Sequence, residues 1–235
     1  SLTITSSGTT TLSGDLTGLT TLTTDANGGT TLAAGVDITT ASTMTIADAL
    51  IISSGGTSIL DAGAASTSDI TLAAVSGING GAVENITLDA GADAGADIIV
   101  TGAFTDIGTL TITDAGSVAL QGALNVAAYV DTSDVGNVSI TGTGTVVGNT
   151  TFRNTGTLLI NNAAETTTFT GGLTANANSE LTLQGTLATT NNDMSIGANG
   201  LTIAGAGATL TSGNGDITIG GVVTGANKSL TITAS

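Results

Sequence analysis

Aliphatic and hydroxylated residues alternate along this chain in one recurring triplet: an aliphatic residue, a Thr or Ser, and a second aliphatic. Ile70-Thr71-Leu72, Ile86-Thr87-Leu88, Leu110-Thr111-Ile112 and Val138-Ser139-Ile140 are examples, as are Leu181-Thr182-Leu183, Met194-Ser195-Ile196, Leu201-Thr202-Ile203 and Ile217-Thr218-Ile219. In a strand the first and third residues of such a triplet face one way and the central residue the other. The pattern therefore predicts short strands with aliphatics inward and Thr outward. Gly, Asn and Asp cluster between the triplets and supply tight turns. No window of helical length carries a sustained apolar pattern at three-and-four spacing, so essentially no helix is expected.

Cutting before each triplet gives segments beginning near Ser1, Leu19, Ser42, Ser68, Asn85, Thr109, Asn137, Thr157, Ser179, Asp193, Asp216 and Ser229. They average about 20 residues, within the range of solenoid repeats. Each holds two or three short aliphatic stretches, as with Val138-Ser139-Ile140, Val146-Val147 and Phe152. That layout suits one turn of a parallel β-helix. The expected fold is all-β, a single parallel β-helix (β-solenoid) of about 11 coils, continuous over residues 1–235 as one domain. Phe152 and Phe169 are expected to stack on successive turns inside it. The segment from Thr109 to Gly136 is the longest and is expected to carry a protruding loop around Ala127-Ala128-Tyr129-Val130-Asp131.

The ends share one pentapeptide, Ser1-Leu2-Thr3-Ile4-Thr5 and Ser229-Leu230-Thr231-Ile232-Thr233. Both read as interior strands without a polar cap, which solenoids need to block edge pairing. The expectation is a segment of a longer chain or a subunit that polymerises head to tail.

Composition sharpens this picture. Threonine outnumbers serine by more than two to one, which favours stiff, extended backbone over a flexible linker. There is no Pro, as expected where nearly every N–H bonds the next turn. The net charge is -16, with Arg153 and Lys228 the only basic residues. Nucleic acid and anionic membranes both require clustered Lys and Arg, so neither is an expected partner. No apolar run approaches the ~20 residues that span a bilayer. Acidic residues concentrate before Asp134 and both basic residues follow it.

The turn-flanked triplets Asn191-Asn192-Asp193-Met194-Ser195-Ile196, Gly200-Leu201-Thr202-Ile203-Ala204-Gly205, Asn214-Gly215-Asp216-Ile217-Thr218-Ile219 and Ser229-Leu230-Thr231-Ile232-Thr233 carry a likeness. The chain resembles the filamentous-haemagglutinin-like and autotransporter-type β-strand-repeat surface proteins along its whole length. The resemblance implies a right-handed coil, bacterial-type secretion, and adhesive or structural work at the cell surface. It carries over no binding residue.

Candidate chemistry is sparse. With no His and no Cys, Ser-His-Asp, Cys-His and His-ligated zinc arrangements are excluded, and an enzyme is not expected. Asp89, Asp93 and Asp97 recur every four residues on a Gly-rich stretch. They are candidate calcium ligands, since carboxylates on such a loop can converge on the ion; the alternative is a solvated turn. Tyr129 is either a surface contact residue or a small core plug. The function these readings favour is an extracellular structural protein, the shaft of a fibre, filament or matrix built by axial stacking or continuation of coils. The alternative is an adhesin binding glycan or a cell-surface protein through a loop near Tyr129.

Overall fold

Each turn of the chain lays down three short parallel strands, and successive turns stack them into three columns. The computed structural model describes residues 1–53, 55–78, 83–160, 165–175 and 180–234, so the expected boundary at Ser179 lies outside the described residues. Among these residues there is no helix, and the parallel strands form a β-solenoid of about 10 turns. The first turn sets the columns: Leu2–Ile4 in the first, Thr9–Leu12 in the second and Leu16–Leu19 in the third. At ~4.8 Å per turn the rod is on the order of 50 Å long.

The alternation read from the sequence governs every column. In the first, one inward aliphatic per turn makes an unbroken ladder: Leu2, Leu22, Met44, Ile70, Ile98, Val118, Val138, Leu158, Leu181, Leu201 and Val223. The neighbouring outward position stacks Thr on Thr at Thr3, Thr23, Thr45 and Thr71, and again at Thr182 and Thr202. From Leu22 to Leu201 the inward ladder residues are buried. Each such side chain contributes about 1.5–3 kcal/mol when fully removed from water. No turn can bury its own faces, so the stability is shared between neighbours.

The triplets occupy more than one column. Ile70–Leu72 lies in the first column and pairs with Met44 to Ile46, whereas the triplet at Ile86 lies in the third and pairs with Ser58 to Leu60. Both belong to one turn. Cuts near Asn85, Thr109, Asp193, Asp216 and Ser229 therefore fall inside turns, because period-two alternation reads alike in every column.

The Thr109–Gly136 segment has no protruding loop, contrary to expectation. Strand Phe104–Leu120 runs through all three columns without a turn, and Leu124–Asp131 follows it in register. Ala127, Ala128, Tyr129, Val130 and Asp131 all lie in that second strand. Exposed loops occur instead at residues 64–67 and 92–95, between the third and first columns. There the step between turns lengthens to 28 residues, as from Asp69 to Asp97, against 20 from Asn137 to Thr157.

The corner from the first to the second column is tightest at Gly102, Gly122 and Gly142. A methyl group added at Gly122 would run into the main-chain carbonyl of Gly102, and one at Gly142 would run into the Gly122 oxygen. Backbone rests on backbone there, which only glycine permits.

Candidate functional site

The three calcium candidates are separated by the fold. Asp89 ends strand Glu84–Asp89, where its Oδ1 accepts the Gly91 N–H at 3.1 Å and its Oδ2 accepts the Thr113 hydroxyl at 2.9 Å. Asp93 sits exposed on the 92–95 loop, and its carbonyl accepts the Ala96 N–H at 2.9 Å. Asp97 opens the next strand and accepts the Ser117 hydroxyl at 2.6 Å. Two of the three carboxylates are thus engaged between turns. Among the described residues, no group of three acidic side chains is placed to hold a metal ion.

Asp89 stands instead in a column of acids, in register with Asp61 below and Asp114 above. Burial pushes the Asp114 carboxyl above the ordinary range, and the nearby charges of Asp89 and Asp134 add to that push. The arrangement is repulsive; the Asp89 carboxylate is held by the Thr113 hydroxyl of the next turn, and Oδ1 of Asp114 is buried with no hydrogen-bond partner among the described residues.

Tyr129 is a core residue, so the surface-contact reading of it is corrected. Its ring centroid lies 5.2 Å from that of Phe152, which in turn meets Phe169 edge-on at 5.7 Å. Phe152 and Phe169 lie on successive turns inside the rod, as their spacing suggested. Because Tyr129 faces inward, Asp131 two residues on does too, and both are buried. Neither the Tyr129 hydroxyl nor Oδ2 of Asp131 has a hydrogen-bond partner among the described residues. Burial raises the Asp131 carboxyl to about 6, against the opposing pull of the Arg153 and Asn154 N–H groups and the Arg153 charge. Burial first and Asp131 second push the Tyr129 hydroxyl well above its ordinary value.

Sequence reading missed the commonest use of Asp and Asn. Oδ1 of Asp15 accepts the N–H of Asp37, and Oδ1 of Asp37 accepts that of Ile59. The same contact links Asn85 to Thr109, Asn125 to Thr145, Asn137 to Thr157 and Asp193 to Asp216. Each side chain ties one turn to the next at or near the start of a strand. A partial signal was available: Asp15 and Asp37, and Asp193 and Asp216, recur one turn apart just before a strand. A buried variant occurs at Asp48, whose carboxylate accepts the hydroxyls of Thr24 and Thr30 at 2.9 and 3.0 Å.

The surface around Tyr129 offers little for specific recognition. All four aromatic side chains, Phe104, Tyr129, Phe152 and Phe169, are in the core, so none is presented as a platform for a sugar ring. The depression nearest Tyr129, beside Val130, Asn149, Thr151 and Arg153, has a volume of about 120 Å³, below the ~300 Å³ at which ligand pockets begin. Among the described residues no helix is long and apolar enough to cross a membrane. No protein-family model, curated protein or solved structure matches the chain.

Proposed function

We propose that this chain is a structural shaft: a β-solenoid rod that works outside the cell as part of a surface fibre, filament or matrix, through continuation of its coils along the axis. The observation that carries this reading is axial continuity. Three columns of parallel strands are bonded turn to turn, one aliphatic ladder runs unbroken from Leu2 to Val223, and Asp and Asn side chains bridge the corners. Pulling such a rod lengthwise loads many hydrogen bonds at once, and its short strand edges leave a protease little extended chain to grip.

The Thr-rich outer columns and the strong negative charge suit a soluble rod.

Electron microscopy of the isolated chain at high concentration tests the proposal. Rods joined end to end into filaments are expected. Particles that stay monomeric in sedimentation, with no end-to-end contact, would remove its basis.

A further inference from the structure

We propose that an ordered internal water is a built part of the rod, bound where the third column is interrupted and hydrogen-bonded to both the Tyr129 hydroxyl and Oδ2 of Asp131. The site lies in the body of the rod, inside the turn that holds strand Leu124–Asp131, and does not depend on the function proposed above.

Alternation creates the demand for it. Tyr129 and Asp131 stand two residues apart on one strand, so both point inward, and both are buried. Their ladder neighbours in the preceding turn are Leu110 and Ile112, and Phe152 of the following turn packs on the Tyr129 ring. Two polar atoms are thereby sunk among apolar side chains, and neither the Tyr129 hydroxyl nor Oδ2 of Asp131 has a partner among the described residues. Each forfeits on folding the water bonds it made in the unfolded chain. They are close enough for the Asp131 charge to push the Tyr129 hydroxyl up. One water answers both, accepting the phenolic proton and donating one of its own to the carboxylate.

Another buried aspartate shows how the rod satisfies such a group with its own side chains. Asp48 accepts the Thr24 hydroxyl on one oxygen at 2.9 Å and the Thr30 hydroxyl on the other at 3.0 Å. Oδ1 of Asp131 accepts the main-chain N–H of Arg153 at 2.8 Å, and no hydroxyl reaches Oδ2. The water takes the place that a threonine fills at Asp48.

The wall beside the two residues supplies the entrance. Strand Leu124–Asp131 belongs to the large sheet and strand Thr150–Phe152 of the next turn to the small one, with no ladder between them among the described residues. A depression lies on that seam, lined by Tyr129, Val130, Asn149, Thr151 and Arg153, with a volume of about 120 Å³. Size and charge decide the ligand. The volume is below the ~300 Å³ at which pockets for organic ligands begin, and several times the ~10–15 Å³ that a water needs. The Arg153 charge, which acts on Asp131, opposes a cation, and the carboxylate opposes an anion. A single water restores only part of the hydration a carboxylate has in bulk solvent, which agrees with an Asp131 carboxyl that stays raised by burial.

Magnetic relaxation dispersion of labelled water counts long-lived internal waters and tests the proposal on the intact chain. The amplitude is expected to fall by the equivalent of one water when Tyr129→Phe is combined with Asp131→Leu, which makes the site apolar and dry. An unchanged amplitude in that variant, folded by circular dichroism, overturns the proposal. A crystal structure of the unsubstituted chain decides the matter even where the double variant fails to fold. A water within hydrogen-bond distance of both the Tyr129 hydroxyl and Oδ2 of Asp131 is expected there. The two groups bonded directly to each other, or no water between them, overturns it.

Discussion

Oδ1 of Asp131 accepts the main-chain N–H of Arg153 at 2.8 Å, at the one place in the third column where neighbouring strands are not joined by a ladder among the described residues. Strand Leu124–Asp131 belongs to the 23-stranded sheet, and strand Thr150–Phe152, one turn on, begins a separate four-stranded sheet. A carboxylate thus stands where backbone would otherwise meet backbone. Its second oxygen is buried and unpartnered, so its charge is costly to keep there.

That cost sets a pH dependence. Asp131 titrates near 6 in the folded chain, against 3.8 for an ordinary Asp, so the folded state binds the proton more tightly than the unfolded state. Stability from this group is greatest below about 3.8 and falls as pH rises through about 6, by on the order of 3 kcal/mol. Asp114 shifts in the same direction. Thermal unfolding between pH 4 and pH 7 should show the decline, and Asp131→Asn should flatten it while raising the melting temperature at pH 7. An unchanged slope in the variant would assign the effect elsewhere.

Strand alternation makes a paired prediction at two adjacent leucines. Leu158 is enclosed and Leu159, facing out, is only partly covered. Leu158→Ala should cost about 2–5 kcal/mol in denaturant unfolding. Leu159→Thr, which extends the outer hydroxyl column, should stay within about 0.5 kcal/mol. Equal effects would contradict the assigned faces.

The glycine corner gives a sharper contrast. Gly122→Ala drives a methyl group into the main chain of the preceding turn and should cost at least ~2 kcal/mol. Gly14→Ala meets nothing within 4 Å and should be nearly neutral. Urea midpoints of the two variants decide the matter.

Asn137 tests the bridges between turns. Its Oδ1 accepts both the N–H and the hydroxyl of Thr157, at 2.9 and 3.0 Å. Asn137→Ala should lose about 1 kcal/mol and speed amide exchange at Thr157, whereas Asn137→Asp should retain most of the protection. Exchange at Thr157 that matches the parent chain in both variants would show the bridge to be dispensable.

The fold was legible because one physical rule, alternation, repeats in nearly every strand. Column assignment was not, since Ile70-Thr71-Leu72 and Ile86-Thr87-Leu88 carry the same pattern on different faces. The expected loop around Tyr129 failed for a related reason: Phe104–Leu120 passes its corners as extended chain, so a long stretch between turn signals meant continuous strand rather than protrusion. Asp131 was hidden by its type. An acid at an inward position breaks the rule by which inward positions are recognised, and only the parity it shares with Tyr129 gives it away. The bridging Asp and Asn residues were visible as turn formers, but their second task appears only when neighbouring turns are laid side by side.

The corners differ in how much added chain they tolerate. Where Gly102, Gly122 and Gly142 touch through bare backbone, turn length is fixed and an inserted residue would wedge two turns apart. Where residues 64–67 and 92–95 swing out, the rod has already absorbed extra chain without losing register above or below. A peptide tag or foreign epitope grafted at Ser66 or Asp93 should therefore be displayed from the side of the rod at a set height.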